Sequence, residues 1–336
     1  MSAGLLSADR PLAELFDLAL VDLDGVAYRG HERVPWASES LVEARRRGMH
    51  TVFVTNNASR SPQVVADQLS ELGIPTPAED VMTAAQAAAQ LLTTRLRQGA
   101  KVLVVGADAL RDAVRAEGYE VVSSADERPD AVAQGFSPDV AWPQLAEAAY
   151  AIAAGAWYVA SNRDLSLPTA RGFAPGNGSL VLAVTSATGV TPDSAGKPEP
   201  TMYQLAIARA GGRRTLVVGD RLDTDLAGAR SGDLPGLHVL TGVSTARDDV
   251  LAVPGQRPHY IGADLRALLE PHPAAVPEDG WWVCRGAAAR VADGRLELRP
   301  AGSPVDLVRA ACAAAWDAAD AGRPVDPSTV PELAAE

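Results

Sequence analysis

Apolar and polar positions alternate in a regular order along this chain. Short apolar runs that end in a hydroxyl, an amide or an acid are followed by longer segments rich in alanine, leucine, glutamate and arginine. The short runs are typical of buried strands, and the longer segments have the composition of helices. Strands that alternate with helices in this way predict an α/β fold, in which a parallel sheet carries helices on both faces.

Residues that break helices mark the ends of several of these predicted elements. Residues 38–47 and 61–72 form predicted helices, and a glycine directly follows each of them. A second α/β unit comes next, with a strand, a helix and a strand predicted at 101–106, 108–117 and 119–122. This unit lacks the G-x-G-x-x-G sequence of dinucleotide sites, so we do not expect a nicotinamide cofactor.

The chain changes character after residue 269. Closely spaced prolines predict a linker at 271–277. Beyond the linker, we expect a hairpin of strands 281–291 and 295–299 and then an amphipathic helix over 304–322.

The order of these last elements, ββα, suggests a fragment of an acetyltransferase fold. The segment Arg285-Gly286-Ala287-Ala288 does not match the R/Q-x-x-G-x-G/A pattern of an acetyl-CoA loop. We therefore favour a packing or dimerisation role for the tail, and a dimerisation role would give a homodimer.

The composition limits the kinds of molecule that this chain is expected to bind. The chain has 30 basic and 42 acidic residues, a net charge of −12, which argues against nucleic acid or an anionic membrane as the main partner. An anionic substrate must then be attracted locally, by a cation or a basic pocket. Two cysteines are too few for a disulfide framework, and neither a signal sequence nor a long apolar run is present. These features predict a cytoplasmic protein.

The segment Asp22-Leu23-Asp24-Gly25-Val26 directly follows the apolar run 18–21. The first carboxylate therefore lies where a buried strand ends, and open α/β sheets bind ligands outside the carboxyl ends of their strands. Gly25 lets the chain turn there. Two acids this close are tolerable where a cation neutralises them, so the segment indicates a metal site. The alternative is that both acids belong to an ordinary turn and bind nothing.

Three further segments place polar residues after a strand or before a helix. Thr55, Asn56 and Asn57 end or follow a strand rich in β-branched residues, and Lys197 precedes a segment that two prolines open as a helix. Asp220 ends a third buried strand, and Asp225 follows it. A helix cap, a solvated lysine and a turn would explain each segment alone. Their common order favours one reaction that uses all of them.

These motifs resemble those of the haloacid dehalogenase-like phosphatases. They match the four motifs of that superfamily in order, with Asp22 and Asp24 in the first, Thr55 in the second, Lys197 in the third, and Asp220 and Asp225 in the fourth. The long insert between the second and third motifs looks like the large cap of the NagD and phosphoglycolate/pyridoxal phosphatase branch. Ser161-Asn162-Arg163-Asp164 and residues 175–181 are similar to that branch's cap loop and return segment.

The resemblance implies an architecture as well. It consists of a discontinuous Rossmann-like core over 1–86 and 188–270 and an inserted α/β cap over 87–187. The tail lies outside the common pattern of these phosphatases and is predicted as a small ββα appendage over 278–336.

The resemblance also implies Mg²⁺-dependent hydrolysis of a phosphate monoester. Asp22 attacks phosphorus to form an aspartyl phosphate, and Asp24 protonates the leaving alkoxide and later deprotonates the attacking water. The metal is held by Asp22, Asp220 and the backbone carbonyl of Asp24, while Asp225 orients Lys197 or a metal-bound water from behind.

The phosphoryl oxygens are bound in this scheme by side chains of Thr55 and Lys197 and by the backbone amides of Asn56 and Asn57. The cap reads the leaving group, with Arg163 suited to a carboxylate or phosphate and Asn162 and Asp164 to hydroxyls. The presence of Asp24 favours a phosphatase or phosphomutase over a P-type ATPase or a dehalogenase.

A chain with this cap and an appendage resembles the glycerol-3-phosphate phosphatases of actinobacteria, so we expect a small phosphorylated metabolite, glycerol 3-phosphate, as the substrate. Phosphoglycolate, pyridoxal phosphate and nucleotides are the alternative substrates. A catalytically idle member that only binds a metabolite is a further alternative, which is disfavoured because no motif residue is missing.

Overall fold

The computed structural model describes residues 4–30, 32–169 and 171–334. In chain order, the strands of this part of the protein are β1 Leu18–Val21, β2 Tyr28–Arg29, β3 Glu32–Arg33, β4 His50–Thr55, β5 Val81–Thr83, β6 Lys101–Val105, β7 Glu120–Val122, β8 Ala131–Gln134, β9 Trp157–Ala160, β10 Ser166–Thr169, β11 Gly172–Pro175, β12 Asp193–Ser194, β13 Thr215–Gly219, β14 Gly236–Val239, β15 Tyr260–Gly262, β16 Val276–Glu278, β17 Trp281–Cys284, β18 Ala287–Ala292 and β19 Arg295–Arg299.

The α-helices between them are α1 Leu12–Leu15, α2 Ala37–Arg46, α3 Pro62–Glu71, α4 Ala84–Leu92, α5 Asp108–Ala116, α6 Trp142–Ala153, α7 Asn177–Thr188, α8 Thr201–Ala210, α9 Ala227–Ser231, α10 Ala246–Val250 and α11 Pro304–Asp320. The predicted α/β class is confirmed. None of the helices in the described ranges combines the length and the apolar character of a membrane span.

The described residues pack into two compact units. The first unit takes its residues from Met1–Phe53, Leu69–Pro75 and Ile207–Glu336, and the second from Val54–Gln68 and Thr76–Ala206. This grouping reflects packing alone. The predicted boundaries of core, cap and appendage, at 1–86 with 188–270, 87–187 and 278–336, stay a prediction.

A parallel sheet in the order β15-β14-β13-β1-β4 organises the first unit. Strand β1 is buried along its whole length, as expected for a strand with neighbours on both sides and helices on its faces. Its last residue, Val21, pairs with Val218 of β13 and with Phe53 of β4. The residues that follow β1 and β13 therefore emerge side by side at the carboxyl edge of the sheet.

The second unit has its own parallel sheet, in the order β12-β9-β8-β6-β7. The strand, helix and strand predicted at 101–106, 108–117 and 119–122 are β6, α5 and β7 within one residue at each end. Buried aliphatic side chains of the strands and of α6 and α7 form its core, among them Leu103, Val132, Ile152 and Val181.

Strands β16 to β19 form an antiparallel sheet in the C-terminal region. The single strand predicted over 281–291 is wrong, because Arg285 (φ 47°) and Gly286 (φ 93°) turn the chain between β17 and β18. Two consecutive positive φ angles suit a two-residue hairpin turn, and an arginine in the first position hides that signal. The predicted linker also contributes a strand, since Pro277 lies in the edge strand β16 opposite Trp282.

Helix α11 packs this sheet against the rest of the first unit. Val308 and Trp316 of α11 belong to the same buried cluster as Leu222, Leu226 and Ile261. The buried guanidinium of Arg309 donates two hydrogen bonds to the carbonyl of Ile261, at 2.7 and 3.1 Å. The tail thus packs on the first unit, through the segment that follows β13 and through β15.

This shared core predicts a large effect of Trp316 on stability. Trp316→Ala should lower the free energy of unfolding by about 3–5 kcal/mol, because the side chain is only 3% exposed. Trp142→Ala is the matched control, since Trp142 is 74% exposed and its loss should change stability by less than about 0.5 kcal/mol. Urea unfolding followed by circular dichroism measures both variants, and equal losses would contradict the shared core.

Candidate active site

Three carboxylates meet at the carboxyl edge of the sheet in the first unit. Oxygen atoms of Asp22, Asp220 and Asp225 all lie within 4.8 Å of one another. Asp22 is partly buried, and the other two are 1% exposed. The neighbouring strands β1 and β13 bring Asp22 and Asp220 together, as the sequence predicts.

Asp225 reaches this cluster from a π-helical turn, Leu222–Leu226. The backbone amides of Asp225 and Leu226 both donate to the carbonyl of Arg221, at 3.0 and 3.1 Å. Asp225 Oδ2 in turn accepts a hydrogen bond from the Arg221 amide, at 3.2 Å. The wide turn thus folds the carboxylate back onto the end of β13; π-turns of this kind are frequent at functional sites.

Backbone atoms of the loop after β14 hold Asp220. The Val243 amide donates to Asp220 Oδ2 at 2.7 Å, and the Ser244 amide donates to the Asp220 carbonyl at 3.0 Å. A Cβ atom at Gly242 would collide with the Asp220 carboxylate, so this close approach requires glycine. This loop was not predicted from the sequence.

Asp24 differs from the clustered acids because its side chain is exposed. Gly25 follows it with a φ of 83° and donates its amide to the Tyr28 carbonyl at 2.8 Å, which confirms the turn predicted there. Thr241 Oγ1 donates to the Gly25 carbonyl at 2.6 Å. This bond ties the turn after β1 to the same loop that holds Asp220.

A buried histidine and aspartate pair lies behind Asp220. His238 Nδ1 is 2.8 Å from Asp249 Oδ2, and His238 Nε2 is 3.1 Å from the Asp220 carbonyl oxygen. Burial favours the neutral ring, but the Asp249 carboxylate outweighs it and raises the pKa of His238, while burial raises the pKa of Asp249. The sequence signal that could have identified the pair is a histidine inside the apolar strand β14.

The residues of the second and third motifs come together in the second unit. Asn56 Oδ1 accepts from the Lys197 amide at 2.8 Å, and Asn56 Nδ2 donates to the Lys197 carbonyl at 3.1 Å. Lys197 is 4% exposed, and its Nζ donates to the Val54 carbonyl at 3.2 Å. The Asn57 amide donates to Thr55 Oγ1 at 3.1 Å. Asn56 therefore fixes the backbone of Lys197.

The loop at 162–164 contacts the same asparagine. Asn162 Nδ2 donates to the Asn56 carbonyl at 2.7 Å, and Asn56 Nδ2 donates to both carboxylate oxygens of Asp164, at 3.1 and 3.2 Å. Arg163 is ion-paired with Glu199 at 2.7 Å. The side chains predicted to read the leaving group thus also make structural contacts with the residues around Lys197.

The acidic cluster fits a magnesium ion. Mg²⁺ prefers carboxylate oxygens and keeps several waters, and three mostly buried carboxylates this close need positive charge to offset their repulsion. Asp22 and Asp220 would hold the ion together with the Asp24 carbonyl, and Asp225 offers a further oxygen within the same 4.8 Å.

Family models agree with these positions. Residues 19–120 match a haloacid dehalogenase-like hydrolase model, and residues 194–268 match a second model of HAD-like hydrolases. Residues 284–334 match a GCN5-related N-acetyltransferase-like domain, which confirms the fold likeness suggested by the ββα order of the tail.

Two individual proteins are similar in sequence to this chain over two thirds of its length or more. A D-glycerol 3-phosphate phosphatase from Mycobacterium tuberculosis is 48% identical over 314 residues, which cover 92% of this chain and 88% of that protein. The 5′-nucleotidase YutF of Bacillus subtilis is 37% identical over 227 residues, or 67% of this chain and 87% of its own.

A crystal structure of a glycerol phosphate phosphatase from M. tuberculosis in complex with magnesium superimposes with a TM-score of 0.85 at 46% identity, over 92% of each chain. The 4-nitrophenylphosphatase of Thermotoga maritima gives a TM-score of 0.71 at 27% identity, over 77% of this chain and 98% of that one. The protein thus belongs to the haloacid dehalogenase-like hydrolase family and is a phosphoric monoester hydrolase.

Proposed function

We propose that this enzyme hydrolyses glycerol 3-phosphate to glycerol and phosphate through an aspartyl phosphate on Asp22. The observation that carries the proposal is the convergence of Asp22, Asp220 and Asp225 at the edge of the sheet. The convergence supports the proposal because Asp22, as the nucleophile, would lie beside a site suited to Mg²⁺, and the ion would neutralise the charge of the phosphate when bound.

The extent of the similarities supports glycerol 3-phosphate as the substrate. The match to the D-glycerol 3-phosphate phosphatase spans 92% of this chain, whereas the match to the 5′-nucleotidase spans 67%. A hydrolysis panel of glycerol 3-phosphate, phosphoglycolate, pyridoxal phosphate and nucleoside monophosphates tests the choice. A kcat/KM for glycerol 3-phosphate below that of another member would refute it.

In the proposed reaction, a carboxylate oxygen of Asp22 forms a bond to phosphorus as the ester P–O bond breaks. Asp24 donates its proton to the departing alkoxide and then accepts a proton from the water that hydrolyses the aspartyl phosphate. The exposure of Asp24 supports this role, because a group that exchanges protons with substrate and water must be accessible.

Lys197 and Thr55 are proposed to bind the oxygens of the transferred phosphoryl group, with the amides of Asn56 and Asn57 as additional donors. The two bonds between Asn56 and the Lys197 backbone support the role of Lys197, since a preorganised cation stabilises charge better than a mobile one.

Location and assembly complete the proposal. We propose a cytoplasmic enzyme, which the two free buried cysteines, Cys284 and Cys312, support. A homodimer formed through the appendage is proposed from the sequence alone, and analytical ultracentrifugation would test it.

The nucleophile gives the first functional prediction. Asp22→Asn keeps the shape of the side chain but removes its charge, so phosphate release should fall by about three orders of magnitude or more. Asp223→Asn is the control, because Asp223 is 57% exposed, is paired with Arg221 and lies outside the acidic cluster. Similar rates in folded Asp22→Asn and wild type would rule out the covalent mechanism.

The second functional prediction concerns the loop after β14, which holds Asp220. Gly242→Ala should displace the Asp220 carboxylate and raise the Mg²⁺ concentration for half-maximal activity by about tenfold or more. Gly255→Ala is the matched control, because nothing lies within 4 Å of a Cβ at that position. An unchanged Mg²⁺ requirement in Gly242→Ala would show that the loop does not support the metal site.

The third functional prediction concerns the loop at 162–164. Asp164→Ala should lower kcat/KM for glycerol 3-phosphate by about 10- to 100-fold and lower it far less for an aryl phosphate, whose leaving group needs little from the cap. Asn56→Ala also releases the Lys197 backbone, so it should lower both rates together. Equal fractional losses in Asp164→Ala would assign Asp164 to the support of Asn56 and not to selectivity.

A further inference from the structure

A chain of buried hydrogen bonds connects the C-terminal appendage to Asp220. Trp316 Nε1 of α11 donates to the backbone carbonyl of Asp249, at 2.9 Å. The Asp249 side chain contacts His238 at 2.8 Å, and the ring of His238 reaches the Asp220 carbonyl at 3.1 Å. None of these four residues is more than 3% exposed.

The chemistry of these contacts restricts their arrangement. A carbonyl oxygen only accepts hydrogen bonds, so His238 Nε2 must carry a hydrogen to bond to Asp220. Its other nitrogen, Nδ1, then shares a hydrogen with the Asp249 carboxyl group. The second carboxyl oxygen, Asp249 Oδ1, is buried and has no hydrogen-bond partner among the residues that the structure describes. The Asp249 side chain is thus directed to His238.

The appendage also holds the helix that carries Asp249. The Arg247 guanidinium donates to the carbonyls of Pro327 and Val330, at 2.7 and 3.0 Å. Farther along the chain, Arg257 is ion-paired with Asp320 of α11 at 2.8 Å and lies over the Trp316 ring, with 5.3 Å between its guanidinium carbon and the ring centroid. The appendage therefore bonds to α10 at Arg247 and Asp249 and to the segment after α10 at Arg257.

We propose that His238 is a positioning residue for the metal site and that the appendage supports this site through Trp316 and Asp249. The bond from His238 fixes the peptide group of Asp220 itself, and the orientation of that peptide sets the direction in which the carboxylate leaves the backbone. Groups that orient metal ligands commonly change metal affinity when they are removed. This inference rests on the proposed role of Asp220 as a metal ligand.

Calorimetric titration of the full-length protein with Mg²⁺ alone tests the inference without any substrate. His238→Phe should weaken Mg²⁺ binding by about tenfold. His238→Gln should restore binding to within about threefold of wild type, because its amide can still donate to the Asp220 carbonyl. Trp316→Phe loses only the indole N–H and should weaken binding by about two- to threefold.

Trp281→Phe is the control for the appendage, since Trp281 packs against Arg290 and Arg299, outside the hydrogen-bond chain, and should leave binding unchanged. Wild-type affinity for Mg²⁺ in a folded His238→Phe protein would overturn the inference. If that variant does not fold, unchanged affinity in both Asp249→Asn and Trp316→Phe would overturn it. Asp220→Asn separates the two proposals, because unchanged binding there would instead refute the metal site itself.

Discussion

Repulsion among three carboxylates is the constraint around which the catalytic unit is built. The oxygens of Asp22, Asp220 and Asp225 lie within 4.8 Å of one another. At about 4 Å and an effective dielectric constant of about 20, each pair of charges costs about 4 kcal/mol. Amide donors at Arg221 and Val243 offset part of this cost, and a divalent cation would offset the rest. Because the sheet places β1 beside β13, the repulsion between these carboxylates would favour binding of a metal ion even before a substrate is present.

Local pattern was sufficient to predict the strands that carry the motifs. A buried run followed by an acid is visible in the sequence at Asp22 and at Asp220, and the rule for the carboxyl edge of parallel sheets predicts that such acids meet. The helices over 38–47 and 61–72 and the second α/β unit were also predictable, because caps and breakers act over a few residues.

Contacts between distant segments could not be predicted in the same way. The pairing of His238 with Asp249 depends on how α10 packs on β14, and the loop at Gly242 is defined only by its approach to Asp220. The turn at Arg285-Gly286 was missed for a local reason, since an arginine with a positive φ has no sequence signature.

The appendage shares its hydrophobic core with the rest of the first unit. Its acetyltransferase-like fold contributes α11 to a core that also contains Leu222 and Leu226 of the π-helical turn. That turn carries Asp225, so side chains on opposite faces of one short segment serve the appendage core and the acidic cluster. The segment that presents Asp225 is therefore held in part by its packing against α11.

Differences in burial distinguish the four acids of the first and fourth motifs. Asp220 and Asp225 are 1% exposed, which suits oxygens that face a cation and not bulk water. Asp22 is partly buried, so it can reach a substrate while it remains within the cluster. Asp24 is exposed, and the turn at Gly25 directs the chain away immediately after it. The same short motif therefore supplies one acid inside the cluster, where it suits attack on a substrate, and a second that water can reach, as acid–base catalysis requires.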